Sequence, residues 1–169
     1  MRLLLTLCLL MLAACGTLPE PESAAASEGS SATEQEVLEL VNSVRAEGYT
    51  CGEQPMSAAP PLRANAVLTR SAQKHSEDMA SAQSMTHTTP EGARHYAVGQ
   101  SPFERMSQEG YRYRAAGENV AWNYPTPESV VNAWLASPGH CRNIMNPAFE
   151  DMGLGLRDLY WTQTLGAQR

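Results

Sequence analysis

The sequence predicts an α+β sandwich, a mainly antiparallel sheet covered by helices. Helix-periodic segments precede most of the strand-like runs. Those runs, "ENVAWN", "MGLGL" and "YWTQTLG", lie too close together for repeated crossover helices to join them. A hydrophobic content of 43% is enough for a real core.

Each helix has a sequence signature. "TEQEVLELVNSVRAEG" opens with Thr33 and Glu36 at capping-box spacing, and Val37, Leu40, Val41 and Val44 follow at helical spacing. A second helix is expected over residues 64–81, with Leu68, Ala72, His75 and Met79 on one stripe. In "SPFERMSQEG", Ser101 is the N-cap, Pro102 takes the first helical position, Glu104 completes the box and Gly110 stops the helix. A fourth helix starts at Thr126-Pro127 and runs through Val130, Val131, Trp134 and Leu135 to Ser137. In the segment that follows, "SPGHCRNIMNP", Pro138 and Gly139 are expected to turn the chain, and the asparagines to satisfy turn backbone.

The first 14 residues read as a leader. Arg2 precedes an apolar run over residues 3–12, too short to span a bilayer, which needs about 20 residues. Leu12-Ala13-Ala14-Cys15-Gly16 has the form of a bacterial lipobox, with the Cys15 thiol as the lipid acceptor. The alternative is ordinary cleavage with an incidental cysteine. Residues 15–32 are then the lipidated cysteine and a tether, since the stretch rich in Ala, Ser, Pro and Glu lacks the apolar surface to fold. Residues 33–169 form one domain. The expected location is the cell envelope, membrane-anchored or extracellular. Gly16 rather than Asp after the cysteine points to the outer membrane in an organism with two membranes.

The formal charge is −6, with Lys74 the single lysine. Nucleic acid is thereby excluded as a partner, because a binder needs clustered cations to displace phosphate counterions. The N-terminal lipid, not surface charge, would hold the chain at a membrane. Of the four cysteines, Cys8 leaves with the leader and Cys15 takes the lipid. In an oxidising compartment Cys51 and Cys141 most simply pair. A His140–Cys141 nucleophile is the sharper alternative, but adjacent residues seldom aim a thiol and an imidazole at each other.

Four histidines compete for a role. His75 lies on the apolar stripe of the second helix and reads as a core histidine. His95, in a loop without an acidic neighbour, reads as surface. His87 and His140 follow the second and fourth helices, and no local zinc motif joins them.

The motifs "LELVNSVR", "AQKHSEDMA", "MTHTTPEG", "SPFERMSQEGY", "AAGENVAWN", "VVNAWLASPGHCRNIMNP", "FEDMGLGL" and "YWTQTLG" occur in this order. From Thr33 nearly to the C-terminus the chain resembles the CAP superfamily: cysteine-rich secretory, antigen 5 and pathogenesis-related 1 proteins. Within it, the chain is most similar to the bacterial SCP-like extracellular branch. The resemblance implies a three-layer αβα sandwich and a central cleft built from two histidines and two glutamates. His87, Glu118 and His140 match three of these positions. Ser137 stands where the second glutamate would lie, so the pair that could divide acid and base roles is incomplete.

The resemblance and the residues together leave several functions open. His87 and His140 are the candidate ligands for zinc or another divalent cation, with Glu118 and Ser137 supporting them. Glu118, His87 and His140 are also the candidate catalytic residues of a metal-assisted hydrolase. The trio can equally be a hydrogen-bonded structural cluster. A lipid- or sterol-binding module would need an apolar groove, to which Met79, Met85, Met106, Met145 and Met152 can contribute, though core filling is their commoner role. A tethered envelope protein binding a glycan, a protein or a small ligand is the last possibility. The chain is expected to be a monomer.

Overall fold

The computed structural model describes residues 31–169. The leader, Cys15 and the tether up to residue 30 lie outside the described residues. The elements run α1 (Ala32–Glu47), β1 (Tyr49–Cys51), β2 (Gln54–Met56), β3 (Arg63–Ala64), α2 (Ala66–Ala82), α3 (Pro102–Gln108), β4 (Tyr113–Trp122), α4 (Pro127–Ala136), α5 (Pro138–Ile144), β5 (Asp151–Arg157) and β6 (Tyr160–Gln168). Four strands form the sheet, in the order β3-β5-β6-β4, and β1 and β2 make a separate hairpin. Among the described strands, only the two-residue β3–β5 pairing is parallel.

Strand alternation divides the core into two layers. Met152 and Leu154 of β5, with Trp161 and Leu165 of β6, face a core shared with Val37 and Val41 of α1, Val130 and Trp134 of α4, and Ile144 of α5. The residues between them face α2: Thr164 Oγ1 donates to Leu68 O at 3.1 Å, and Ser76 Oγ donates to Thr162 Oγ1 at 2.9 Å. Helices therefore cover both faces, which gives the expected three-layer αβα sandwich.

The helix starts at 101 and 126 are capped as expected. Ser101 with Glu104 and Thr126 with Ser129 form reciprocal boxes, each with proline in the first turn. Two expectations are corrected. Helix α1 begins at Ala32, capped by Ser31 rather than Thr33, with Ser31 Oγ accepting from Glu34 N–H at 3.1 Å. The Glu34 side chain turns inward instead of closing a box: its Oε1 accepts from Thr69 Oγ1 at 2.5 Å and from Leu154 N–H at 3.1 Å. Second, Pro138 and Gly139 do not form a turn. They are the first turn of α5, where the missing proline N–H costs nothing because first-turn N–H groups lack helical partners anyway.

Cys51 and Cys141 are disulfide-bonded, with Cα atoms 5.5 Å apart and a sequence separation of 90. The bond ties the β1–β2 hairpin to α5. Closing a loop of that length stabilises the fold by about 4–5 kcal/mol on the chain-entropy model. Nearby, the buried Arg45 guanidinium donates to Pro60 O, Ile144 O, Asn146 O and Phe149 O at 2.6–3.3 Å. It thereby satisfies the last carbonyl of α5 and carbonyls of two connections that have no ladder of their own.

The closest layer contact is α2 on β5. A Cβ at Gly153 would fall on the backbone of Thr69 and Leu68, and one at Gly155 on the backbone of Ala72. Backbone cannot give way as a flexible side chain does. Gly155→Ala is therefore expected to cost about 3 kcal/mol, measured by urea denaturation against Gly139→Ala, whose Cβ meets nothing within 4 Å.

Candidate functional site

The site lies along β4, the edge strand of the sheet. His87 reaches it from the irregular stretch between α2 and α3, which is held by side chains. Asp78 Oδ1 accepts the N–H groups of Arg94 and His95 at 2.6 and 2.9 Å. Arg105 of α3 donates through Nη1 to His87 O at 3.0 Å and to Gln100 O at 2.9 Å, and through Nη2 to Glu118 Oε2 at 2.7 Å. The other oxygen, Glu118 Oε1, lies 3.0 Å from His87 Nδ1. A carboxylate can only accept, so Nδ1 carries the hydrogen and Nε2 of the neutral ring keeps its lone pair.

His140 sits in the first turn of α5. Its carbonyl accepts from Asn119 Nδ2 at 3.2 Å, and the same amide group donates to Gln163 Oε1 at 2.8 Å. Asn143 Nδ2 donates to Glu118 O at 3.1 Å and to Asn119 Oδ1 at 2.9 Å. These amides dock α5 against β4 and set the His87 and His140 ring centroids 6.4 Å apart. Burial lowers the His140 pKa from its usual value, and the neighbouring His87 lowers it further. The ring therefore stays neutral to lower pH than a free histidine.

Beside His140 is a slot of about 270 Å³. Met85, Trp122, Tyr124, Ala133 and Ser137 are among its walls. Ser137 occupies the junction of α4 and α5, where its N–H closes α4 on Trp134 O at 3.2 Å and its side chain makes no capping bond. Of the five methionines considered, Met79, Met106, Met145 and Met152 are core residues, and only Met85, 52% exposed, reaches the slot. His75 is a buried core histidine whose Nε2 lies 2.8 Å from Thr86 O. His95 is exposed, as expected, and the acidic neighbour that its own loop lacks comes from α2, with Glu77 Oε2 at 2.6 Å.

Sequence reasoning missed Arg105. Its signal was position: Pro102, Arg105 and Met106 share one face of α3, and that face is buried. A charged residue on an apolar stripe announces a buried partner. Among the described residues no three His, Cys, Asp or Glu side chains are grouped to hold a metal ion, and no helix is long and apolar enough to cross a membrane.

The comparisons with known proteins agree with this architecture. The family model described as "CAP: Cysteine-rich secretory protein family" matches residues 38–165, and the chain belongs to that family. It is 37% identical over 135 residues to the uncharacterized protein YkwD of Bacillus subtilis, covering 79% of this chain and 46% of that protein. With the uncharacterized membrane protein YlbC of the same organism, identity is 30% over 89 residues, covering 53% of this chain and 24% of that one. The chain thus spans less than half the length of these curated relatives. Among solved structures, an extracellular protein containing a SCP domain from Bacillus anthracis matches with TM-score 0.67 at 24% identity, over 79% of this chain and 40% of that chain. An outer surface protein of Borrelia burgdorferi matches with TM-score 0.60 at 20% identity, over 80% of this chain and 95% of that chain. At these identities the structural likeness bears on the fold.

The Arg105–Glu118 pair generates a stability prediction. Arg105→Met leaves a buried carboxylate without its cation and is expected to cost about 3–5 kcal/mol. Adding Glu118→Leu removes the orphaned charge and should recover part of that loss. Urea midpoints of the two variants check it.

Proposed function

We propose that the cleft is a binding site for a divalent cation, zinc being well suited, held by His87 and His140 in an envelope protein tethered through Cys15. The observation that carries this reading is the Glu118–His87 bond. A carboxylate on one ring nitrogen fixes the tautomer and aims the other nitrogen outward, the arrangement that supports a ligating histidine. The donors fit. Two imidazoles on one zinc, bonded at about 2.0–2.1 Å each, bring their centroids to about 5–6 Å. The observed separation of 6.4 Å is close to that span. Two protein ligands leave the remaining positions to water or to a small ligand in the adjoining slot. The metal would supply Lewis acidity there.

Binding fits this cleft better than turnover. Both oxygens of Glu118 are engaged, one by His87 and one by Arg105. Ser137 adds no second carboxylate, and among the described residues none lines the slot beside it. A general base needs an oxygen within reach of its proton, and with one oxygen on His87 and the other on Arg105, Glu118 is placed to hold those two groups rather than to take a proton.

A ligand that binds only the folded state raises the melting temperature with the logarithm of its excess over Kd. Zinc is expected to do this for the wild type at pH 7.5. His87→Ala and His140→Ala should each abolish the rise. Glu118→Gln should weaken zinc affinity by about 10–100-fold without abolishing it. The zinc-dependent shift is the readout, since Glu118→Gln also strands Arg105. Binding should fade as pH falls through about 6.5 and below, because a protonated imidazole has no lone pair to give. Calorimetry on the four proteins checks these outcomes, and unchanged zinc binding in both histidine variants would assign the trio to the scaffold.

The tether is tested separately. Wild-type protein should fractionate with membranes and Cys15→Ser protein should be released, as read by immunoblotting of cell fractions. Quantitative membrane retention of the variant would refute the anchor.

A further inference from the structure

Away from the histidines, the surface between α3, the start of β4 and the end of β6 encloses a hollow of about 610 Å³. Ser107, Tyr111, Arg112, Tyr113 and Arg169 line it, and no carboxylate side chain does among the described residues. In a chain of net charge −6, this is a local inversion of sign. Arg63, Arg70, Lys74, Arg105, Arg114 and Arg157 each meet a carboxylate. Arg112 and Arg169, like Arg45, Arg94 and Arg142, meet no carboxylate side chain among the described residues, and of these five only Arg112 and Arg169 line the hollow.

The hollow is also preorganised. Arg169 N–H donates to Arg112 O at 3.0 Å, and Arg169 Nε donates to Tyr113 O at 3.0 Å. Those bonds hold the Arg169 stem and leave its two Nη groups for a ligand. The buried Tyr111 commits its hydroxyl to Asp151 Oδ2 at 2.8 Å, so it presents a ring wall. Tyr113 rests against Phe103, with ring centroids 6.1 Å apart, which steadies the opposite wall.

We propose that this hollow is an oxyanion site that takes a phosphate ester, with Arg112 and Arg169 as its cationic arms and Ser107 as a neutral donor. The planar fork of a guanidinium matches two phosphate oxygens at once. Two such forks with no carboxylate side chain lining the hollow favour a phosphate group over a neutral ligand, and the tyrosine rings would pack against the ester's carbon skeleton. The phosphate can belong to a soluble ester or to a phospholipid headgroup.

Two arms distinguish these sources. In the first, glycerol 3-phosphate is titrated into the folded chain at low ionic strength and backbone amide shifts are followed. In the second, the full chain carrying Cys15→Ser, so that no acyl group contributes, is sedimented with phosphatidylcholine vesicles containing phosphatidylglycerol. Shifts confined to residues 107–113 and 166–169 support a soluble ester, and vesicle binding supports a headgroup. Whichever binds, Arg112→Gln/Arg169→Gln should weaken it at least tenfold. Arg70→Gln/Arg94→Gln, which removes the same charge elsewhere, should leave it unchanged. No response in either arm overturns the site, and so does an equal loss in the control variant, since binding would then follow overall charge.

Discussion

The Arg105 guanidinium has no water to solvate it, so its charge must be met from inside the fold. Glu118 Oε2 meets it on one side, and the carbonyls of His87 and Gln100 take N–H groups on another. One cation thereby joins three parts of the chain that share no ladder: α3, the stretch after α2, and the edge strand β4. The same carboxylate then orients the His87 ring. Remove the ion pair and His87 loses both its backbone anchor and its ring partner. The cleft is thus held by a desolvated charge pair, which tolerates the loss of one member poorly.

The edge strand explains why Gly117, Glu118 and Asn119 stand together. Successive side chains on a strand point to opposite faces. Glu118 points to Arg105 in the α2–α3 layer, and Asn119 points to Gln163 and the His140 carbonyl in the α4–α5 layer. A Cβ on Gly117 would come within 2.8 Å of Phe149 Cζ. An edge strand exposes unpaired carbonyls that invite foreign strands. Here Asn143 Nδ2 takes Glu118 O and Trp134 Nε1 takes Val120 O, so helices seal the edge where the site lies.

Local chemistry was legible in the sequence, and long-range geometry was not. The caps at Ser101 and Thr126, the stripe holding His75, and the strand runs in β4, β5 and β6 all rest on residues within a few positions of one another. The Cys51–Cys141 bond came from a count, which needs no geometry. Helix α5 was missed because seven residues are too few to show a period, and Pro138-Gly139 suits a turn as well as a helix start. The short strands β1, β2 and β3 have no readable alternation either. The Glu34 contacts with Thr69 and Leu154, the Glu77–His95 pair and the Arg105–Glu118 pair depend on tertiary approach, and nothing local marks those partners. Family resemblance brought His87, Glu118 and His140 together on paper, but the cation behind them had to be seen in the fold.

The sheet order carries a consequence for how the chain is made. Its two middle strands, β5 and β6, follow every other described element in sequence, while β3 and β4 flank them. Before residue 151 is synthesised, neither outer strand has a neighbour to bond with. The inward carboxylate of α1 likewise waits for an N–H group 120 positions downstream. Such non-local closure is slow and cannot proceed stepwise from the N-terminus. The four-stranded sheet can therefore close only after β5 and β6 have been made, however early the helices form.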